Sequence, residues 1–277
     1  MRRARLAVLG VVLLVLAAGC VGTLGTSDDG TDDDAEDGEI TQAALLDGID
    51  EVESYEFELT QTMETEMGEV TMTGDGAVDY AAQKLEMLID TEMMGQSIEQ
   101  QVYFIDDAIY THAAGMGMDD SWMKMSVPED EQEEVWADQE TLEGQTDYIE
   151  GADVEETGTE TVNGVETTVL ELQFTEELRE ELEAEDEFDE QEMEIESVDY
   201  RLFVEESTEF LHKVEMDLTV EQMGQELTTE TEMLITNHNE EVDITLPEAA
   251  EDAEDVGEFG DSIDPNAGSQ DDDGFGQ

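Results

Sequence analysis

Apolar residues recur at every second position through most of the chain, and the phase of that alternation flips at turn-forming residues. Tyr55, Phe57, Leu59, Met63 and Met67 share one phase, with Glu56, Glu58, Glu64 and Glu66 between them. The phase then moves to Val70, Met72, Val78 and Tyr80, returns with Leu85, Met87, Ile89 and Met93, and moves again with Ile98, Val102 and Phe104. Met67-Gly68, Ala81-Ala82-Gln83 and Met94-Gly95 sit at the flips. A period of two sends alternate side chains to opposite faces, so this stretch predicts an antiparallel meander with one buried face and one acidic, solvated face. A further strand is expected from Ala108 to His112.

The second half repeats the theme. Asn163-Gly164 separates Thr159–Val162 from Val165–Phe174, and both central positions tolerate positive φ, which makes this the strongest hairpin signal in the chain. Val198–Val204, Val214–Val220, Leu227–Ile235 and Val242–Leu246 form another meander. Glu221-Gln-Met-Gly-Gln225 echoes Glu92-Met-Met-Gly-Gln96, each between two alternating strands, but no fixed period recurs and a solenoid is excluded. Helices are few. Thr41 can cap a helix to Val52, Pro128 can open one over Glu129–Leu142, and Thr175 a third over Glu176 to about Asp186. The fold class is α+β, mostly antiparallel β, with about ten strands and about three helices.

The N-terminus adds a destination. Basic residues at Arg2, Arg3 and Arg5 precede an apolar run from Leu6 to Leu16, and Leu16-Ala17-Ala18-Gly19-Cys20 ends in the only cysteine. A run this short, with a basic start and small residues at its end, describes a secretory signal over residues 1–19 rather than a membrane span. The Leu-Ala-Ala-Gly-Cys string resembles the lipobox of exported lipoproteins, which implies lipid attachment at Cys20, anchorage to the outer face of the cytoplasmic membrane, and no second cysteine to pair with. Arg2-Arg3 is compatible with a twin-arginine signal as well as with ordinary export. Residues 20–38 read as an acidic flexible tether, 39–247 as one domain, and 248–277 as an acidic, glycine-rich disordered tail.

Charge narrows the setting. Eighty acidic residues face eight basic ones for a net charge of −72, and removing the three leader arginines takes this to −75. Such self-repulsion opposes compaction when the screening length is about 8–10 Å and becomes tolerable in molar salt, where it is about 3 Å. The composition is similar to that of proteins from salt-in halophiles, which implies an archaeal surface. Nucleic acid is excluded as a partner, because no basic patch exists to neutralise phosphates.

The N-terminal helix, the long meandering strands, the helical interruption, the segment Tyr200-Arg-Leu-Phe-Val-Glu-Glu-Ser-Thr-Glu-Phe-Leu-His-Lys-Val-Glu and the ending Asn237-His-Asn-Glu-Glu-Val-Asp-Ile-Thr-Leu-Pro247 together resemble the LolA/LppX/LprG-like lipoprotein-carrier superfamily. The resemblance covers about residues 39–247. It implies a curved half-barrel sheet with helices on its concave side, an apolar cavity, and an acyl-chain or other lipid-like ligand, with no polar motif to transfer residue by residue. Candidate cavity residues are Tyr55, Phe57, Met63, Met72, Met87 and Phe104 on strands, Trp136, Leu142 and Leu178 on helices, and Met216. Fifteen methionines, many on inward phases, suit a soft interior that adapts to irregular chains, and suit core filling equally.

One local cluster stands apart. His112, Met116, Met118, Met123 and Met125 carry an imidazole and thioethers at spacings open to Cu(I), or else form a methionine-rich flap over the sheet with Trp122 packed at the cavity mouth. No catalytic residue and no cofactor is expected. Nucleophile motifs are missing, and the histidines at 112, 212 and 238 are far apart in sequence. The Asp-rich strings lack the glycine and terminal glutamate of a calcium loop. Two functions remain: a lipid-anchored carrier of an apolar ligand, and a non-catalytic surface lipoprotein with a filled core.

Overall fold

A computed structural model describes residues 40–258, apart from 66–67, 94, 116–120, 129–131, 133–135, 137–141, 176–177, 180–192 and 223–224. Among the described residues, twelve strands form one open, curved sheet. The first half is a run of hairpins: β1 (Ser54–Thr65), β2 (Gly68–Asp79), β3 (Lys84–Met93), β4 (Gln96–Ile105), β5 (Ala108–Ala114) and β6 (Trp122–Ser126). The second half comprises β7 (Ala152–Val162), β8 (Val165–Phe174), β9 (Met193–Val204), β10 (Leu211–Gln222) and β11 (Gln225–Thr236). Pairing of β1 with β11, with Phe57 opposite Ile235, joins the halves at mid-sheet. A short β12 (Glu254–Glu258) adds in parallel to β6, so β12 and β7 are the edges.

Turn chemistry sets the register. Asn163 (φ 50°) and Gly164 (φ 89°) close β7 onto β8 as expected, with Val162 opposite Val165. Asp106 (φ 52°) and Asp107 (φ 60°) do the same between Ile105 and Ala108, since a short carboxylate side chain tolerates the left-handed region. With register fixed, one parity of each strand is committed to the buried face.

Helix α1 (Gln42–Asp50) follows its expected cap, with Thr41 Oγ1 accepting from Ala44 N at 3.2 Å. A 3₁₀ turn at Leu142–Gln145 runs into α2 (Thr146–Gly151), a helix that the sequence pattern did not announce because it is too short to show periodicity. The Gln42 amide donates to the carbonyls of Ile149 and of Ala152, the latter at 3.2 Å, and so ties α1 to the end of α2. Of the helices expected over 129–142 and 176–186, Gln132, Trp136, Leu178 and Arg179 are helical and the rest lies almost wholly outside the described residues. Leu45, Ile49, Leu142, Ile149, Trp136 and Leu178 all bury their side chains in one cluster with the inward parity of the sheet.

Two expectations at the C-terminus are corrected. The segment Val242–Leu246 alternates as a strand should, yet it joins no ladder. Asn239 pins its start to β1, accepting from Glu53 N at 2.6 Å and donating its own backbone N–H to Ser54 O at 2.8 Å. From there the chain crosses the convex face as a strap. Ile244 packs with Tyr103, Ile105, Trp122 and Ala250 in a second cluster, and Lys84 Nζ donates to Ile244 O at 3.4 Å. Its alternation reflects burial against a sheet face rather than hydrogen bonding to a neighbouring strand. The expected disordered tail from residue 248 is also overturned as far as Glu258: a 3₁₀ turn at Glu248–Asp252 buries Ala250, and β12 follows. The domain therefore extends past 247, because backbone pairing to the edge of β6 orders an acidic segment that has little apolar surface of its own.

Candidate functional site

The ladder lets the concave face be read as rows of residues running across the strands. At the end nearest the helices, Val102, Met87, Gly76, Phe57 and Ile235 are successive partners. Phe57 lies over Gly76, where an added Cβ would meet its ring at 2.5 Å and Glu86 O at 2.3 Å. This absence of a side chain is what lets the ring pack flat on the sheet. The next row, Ile89, Gly74, Leu59, Met233, Val214 and Leu202, continues the same core.

Aromatic rings knit this end together. Phe104 and Tyr80 both meet Trp136, at centroid distances of 5.3 and 6.0 Å, and Tyr80 meets Tyr55 at 6.0 Å. Tyr55 Oη accepts from Leu142 N at 3.2 Å, a hydrogen bond that fixes the 3₁₀ turn to β1. On the other half-sheet Tyr148, Phe174 and Tyr200 pack mutually at 6.0–6.1 Å, and Tyr200 Oη bonds the Gln145 side chain. This second group escaped the sequence reading because its members come from α2, β8 and β9, and only the sheet order makes them neighbours.

A third row changes character. Thr91, Met72, Gln61, Thr231 and Met216 are successive partners, so three polar groups share the row with two methionines. Gln61 is 6% exposed and donates through Nε2 to Thr231 Oγ1 at 3.2 Å; Thr91 is buried too. The signal for this belt was present in the sequence, as the polar Gln61 between Leu59 and Met63 in the inward phase of β1. Beyond it, Met93, Val70, Met63, Thr229, Leu218 and Val198 form a row nearest the hairpin ends of β1–β4 and β10–β11. All of its apolar members are half-buried, and none belongs to either buried cluster.

The candidate cavity residues thus divide. Tyr55, Phe57, Met72, Met87, Phe104, Trp136, Leu142 and Leu178 are brought together as packed core, with Met216 half-buried against them. Met63 stands apart in the outer row. Cys20 lies outside the described residues. So do Met116 and Met118 of the thioether set, and the rest of that set does not converge. His112 pairs with Trp122, on the convex parity, whereas Met123 and Met125 pair with Thr111 and Ile109, on the concave one. Adjacent strand residues point to opposite faces, so His112 cannot share a metal with Met123 or Met125. Among the described residues no group of three or more His, Cys, Asp or Glu is arranged to hold a metal ion, and no helix is long and apolar enough to cross a membrane.

Charge follows the same division of faces. On the convex side, burial pushes the Glu86 carboxyl above its ordinary range, and Asp75 and Asp243 push it further. Lys213 is opposed by burial, but hydrogen bonds and charges from Glu215 and Glu232 outweigh it and hold the ammonium form, with Glu232 at 2.8 Å. At the turn between β9 and β10, His212 and His238 meet at 4.8 Å although they are distant in sequence. Burial holds His238 below its ordinary value, with its Nε2 2.8 Å from Leu211 O.

Residues 41–255 match DUF6612, described as a family of unknown function. The chain belongs to this family. No curated protein matches it. Among solved structures it is similar to the lipoprotein LppX from Mycobacterium tuberculosis, at 13% identity and a TM-score of 0.44, over 73% of this chain and 95% of that one. LprF from Mycobacterium bovis is similar at 10% identity and a TM-score of 0.45, over 74% and 96%. A putative outer membrane lipoprotein-sorting protein domain from Vibrio parahaemolyticus follows at 9% identity and a TM-score of 0.26, over 74% and 93%.

Proposed function

We propose that this DUF6612 protein is an exported surface protein, lipid-anchored through Cys20, that binds an apolar, lipid-like ligand on the outer part of its concave face and catalyses no reaction. The observation that carries the reading is the outer row. Met63, Val70, Met93, Leu218 and Val198 continue the inward apolar parity past the packed core and past the belt of Gln61, Thr91 and Thr231, yet lie outside the buried clusters. Flexible thioethers beside a few fixed polar groups suit an amphiphile, with its chain on the methionines and its oxygens at the belt. The acidic exterior and the leader support an exported protein working in high salt.

A second reading has its own support. Eight of the ten candidate cavity residues lie in the buried core, which favours a filled scaffold used for surface interaction.

The test is mass spectrometry of the organic extract from protein purified in molar KCl, with wild type compared to a Met63→Trp/Leu218→Trp variant. A stoichiometric lipid that disappears in the folded variant supports the carrier reading. A clean extract from folded wild type, with no uptake of added lipid, overturns it and leaves the scaffold. Mass measurement of the N-terminal peptide checks acylation at Cys20, and Cys20→Ser should release the protein from membranes.

A further inference from the structure

The strap that crosses the convex face has a built root. His238 sits between Asn237 (φ 56°) and Asn239 (φ 58°), both held in the left-handed region that asparagine tolerates. Its imidazole enters the turn between β9 and β10, stacked on the Phe210 ring at 5.1 Å and 20°, with the His212 ring 4.8 Å away. We propose that this histidine pair is a pH-sensitive latch, shut while His238 is neutral and opened by its protonation, which frees the strap and the chain after it from the sheet.

Several bonds depend on His238 keeping its place. Its Nε2 lies 2.8 Å from the Leu211 carbonyl oxygen, which can only accept, so Nε2 carries the proton of the neutral ring. The flanking residues fasten the same corner to the start of β1. Asn237 bonds the Glu56 side chain, Asn239 accepts from Glu53 N at 2.6 Å and donates to Glu51 O at 3.1 Å, and Ser54 Oγ donates to Glu240 O at 2.6 Å. The root therefore clamps two distant turns of the chain together.

A second proton would go to Nδ1 and make the ring a cation. Burial is the main force against that charge, and His212 adds to it; the Leu211 carbonyl and the Glu205 carboxylate favour the charge but do not prevail. Glu205 is already committed to its own turn, accepting from Ser207 Oγ and Thr208 Oγ1 at 2.8 Å each and lying 3.4 Å from His212 Nε2. From β1 the one side-chain carboxylate that bonds the corner is that of Glu56, which meets Asn237, while Glu51 and Glu53 offer backbone groups to Asn239.

The strap is the element that opens, and the sheet stays. Val242–Leu246 joins no ladder, and β12 is held by backbone pairing to β6 with the side chains of 254–257 exposed. Segments with so few buried contacts have the lowest opening free energies. A ring held below its ordinary value of 6.5 when shut regains that value when open, so closure is strongest above it and weakens as pH falls towards the lower, folded value. The strap's contact with Glu86 has the opposite sign, because protonating Glu86 relieves its repulsion with Asp243 and tightens the strap. Loosening on acidification is thus a signature of His238.

The experiment is hydrogen exchange read by mass spectrometry on the full chain in molar KCl, from about pH 7.5 to about pH 5, with rates converted to protection factors at each pH. Protection over 242–258 should fall at least about fivefold, as release linked to one proton requires, while that over β1–β3 holds within about twofold. His238→Gln keeps an N–H for Leu211 O and cannot take a charge, so its strap should show no such loss. An NMR titration of the wild-type imidazole resonances, only three in number, supplies a readout independent of that variant: the His238 midpoint should lie below the ordinary value and within the window in which the strap opens. Constant or rising protection of the strap on acidification, an equal loss across β1–β3, the same loss in folded His238→Gln, or a His238 that titrates fully with the strap still shut would each overturn the latch.

Discussion

The two ends of the concave face are built from the same strands in the same parity, yet they do different things. Near the helices, Phe57, Met87 and Ile235 are 8%, 7% and 0% exposed, and α1, the 3₁₀ turn and α2 fill the space above them. At the hairpin ends, Met63, Met93 and Leu218 remain half-buried and belong to no cluster. Alternation makes a face apolar; a covering element makes it a core. Where the described elements leave the face without such cover, the same pattern stays half-buried.

The largest expected effect tests the packed end. Leu142, 1% exposed, should lose about 2–5 kcal/mol on truncation to alanine, measured by denaturant unfolding in molar KCl. A cost below about 1 kcal/mol would mean that this end is loosely packed and the comparison fails. Gly76→Val should cost about 1–3 kcal/mol, because the new side chain displaces the Phe57 ring or strains the strand. Leu218→Ala at the outer row should cost about 1 kcal/mol or less, since a half-buried side chain regains little water and leaves no closed cavity. Equal losses at Leu142 and Leu218 would place the outer row in the core and remove the basis for a ligand there.

A smaller effect concerns the convex face. Glu86 has its folded pKa raised by burial, Asp75 and Asp243, so the folded state holds the proton over a window in which the unfolded chain has released it. Stability is therefore greater below the ordinary carboxylate value and declines as pH rises through the folded value. Glu86→Gln should flatten that part of the profile of thermal midpoint against pH; a profile of unchanged slope would remove Glu86 from the balance. Smallest of all, Met123→Leu should leave Cu(I) binding and stability unchanged, because Met123 is 43% exposed and faces away from His112.

Local chemistry alone determined a good deal. Parity flips located most of the hairpins, Asn163-Gly164 defined its turn, Thr41 its cap, and the acidic exterior followed from composition. These features are legible because each depends on residues within a few positions of one another. Elements too short for periodicity, such as α2, β6 and β12, were not legible, and neither was any pairing across the chain's two halves. The strap shows the limit most plainly. Val242, Ile244 and Leu246 alternate as a strand would, and the sequence contains nothing to distinguish burial against an adjacent ladder from burial against a sheet face. The same holds for His212 with His238 and for Thr231 beside Gln61. Side-chain parity is a one-dimensional property, whereas the identity of the surface that each parity meets is set by the order of strands, and the tertiary structure alone decides that order.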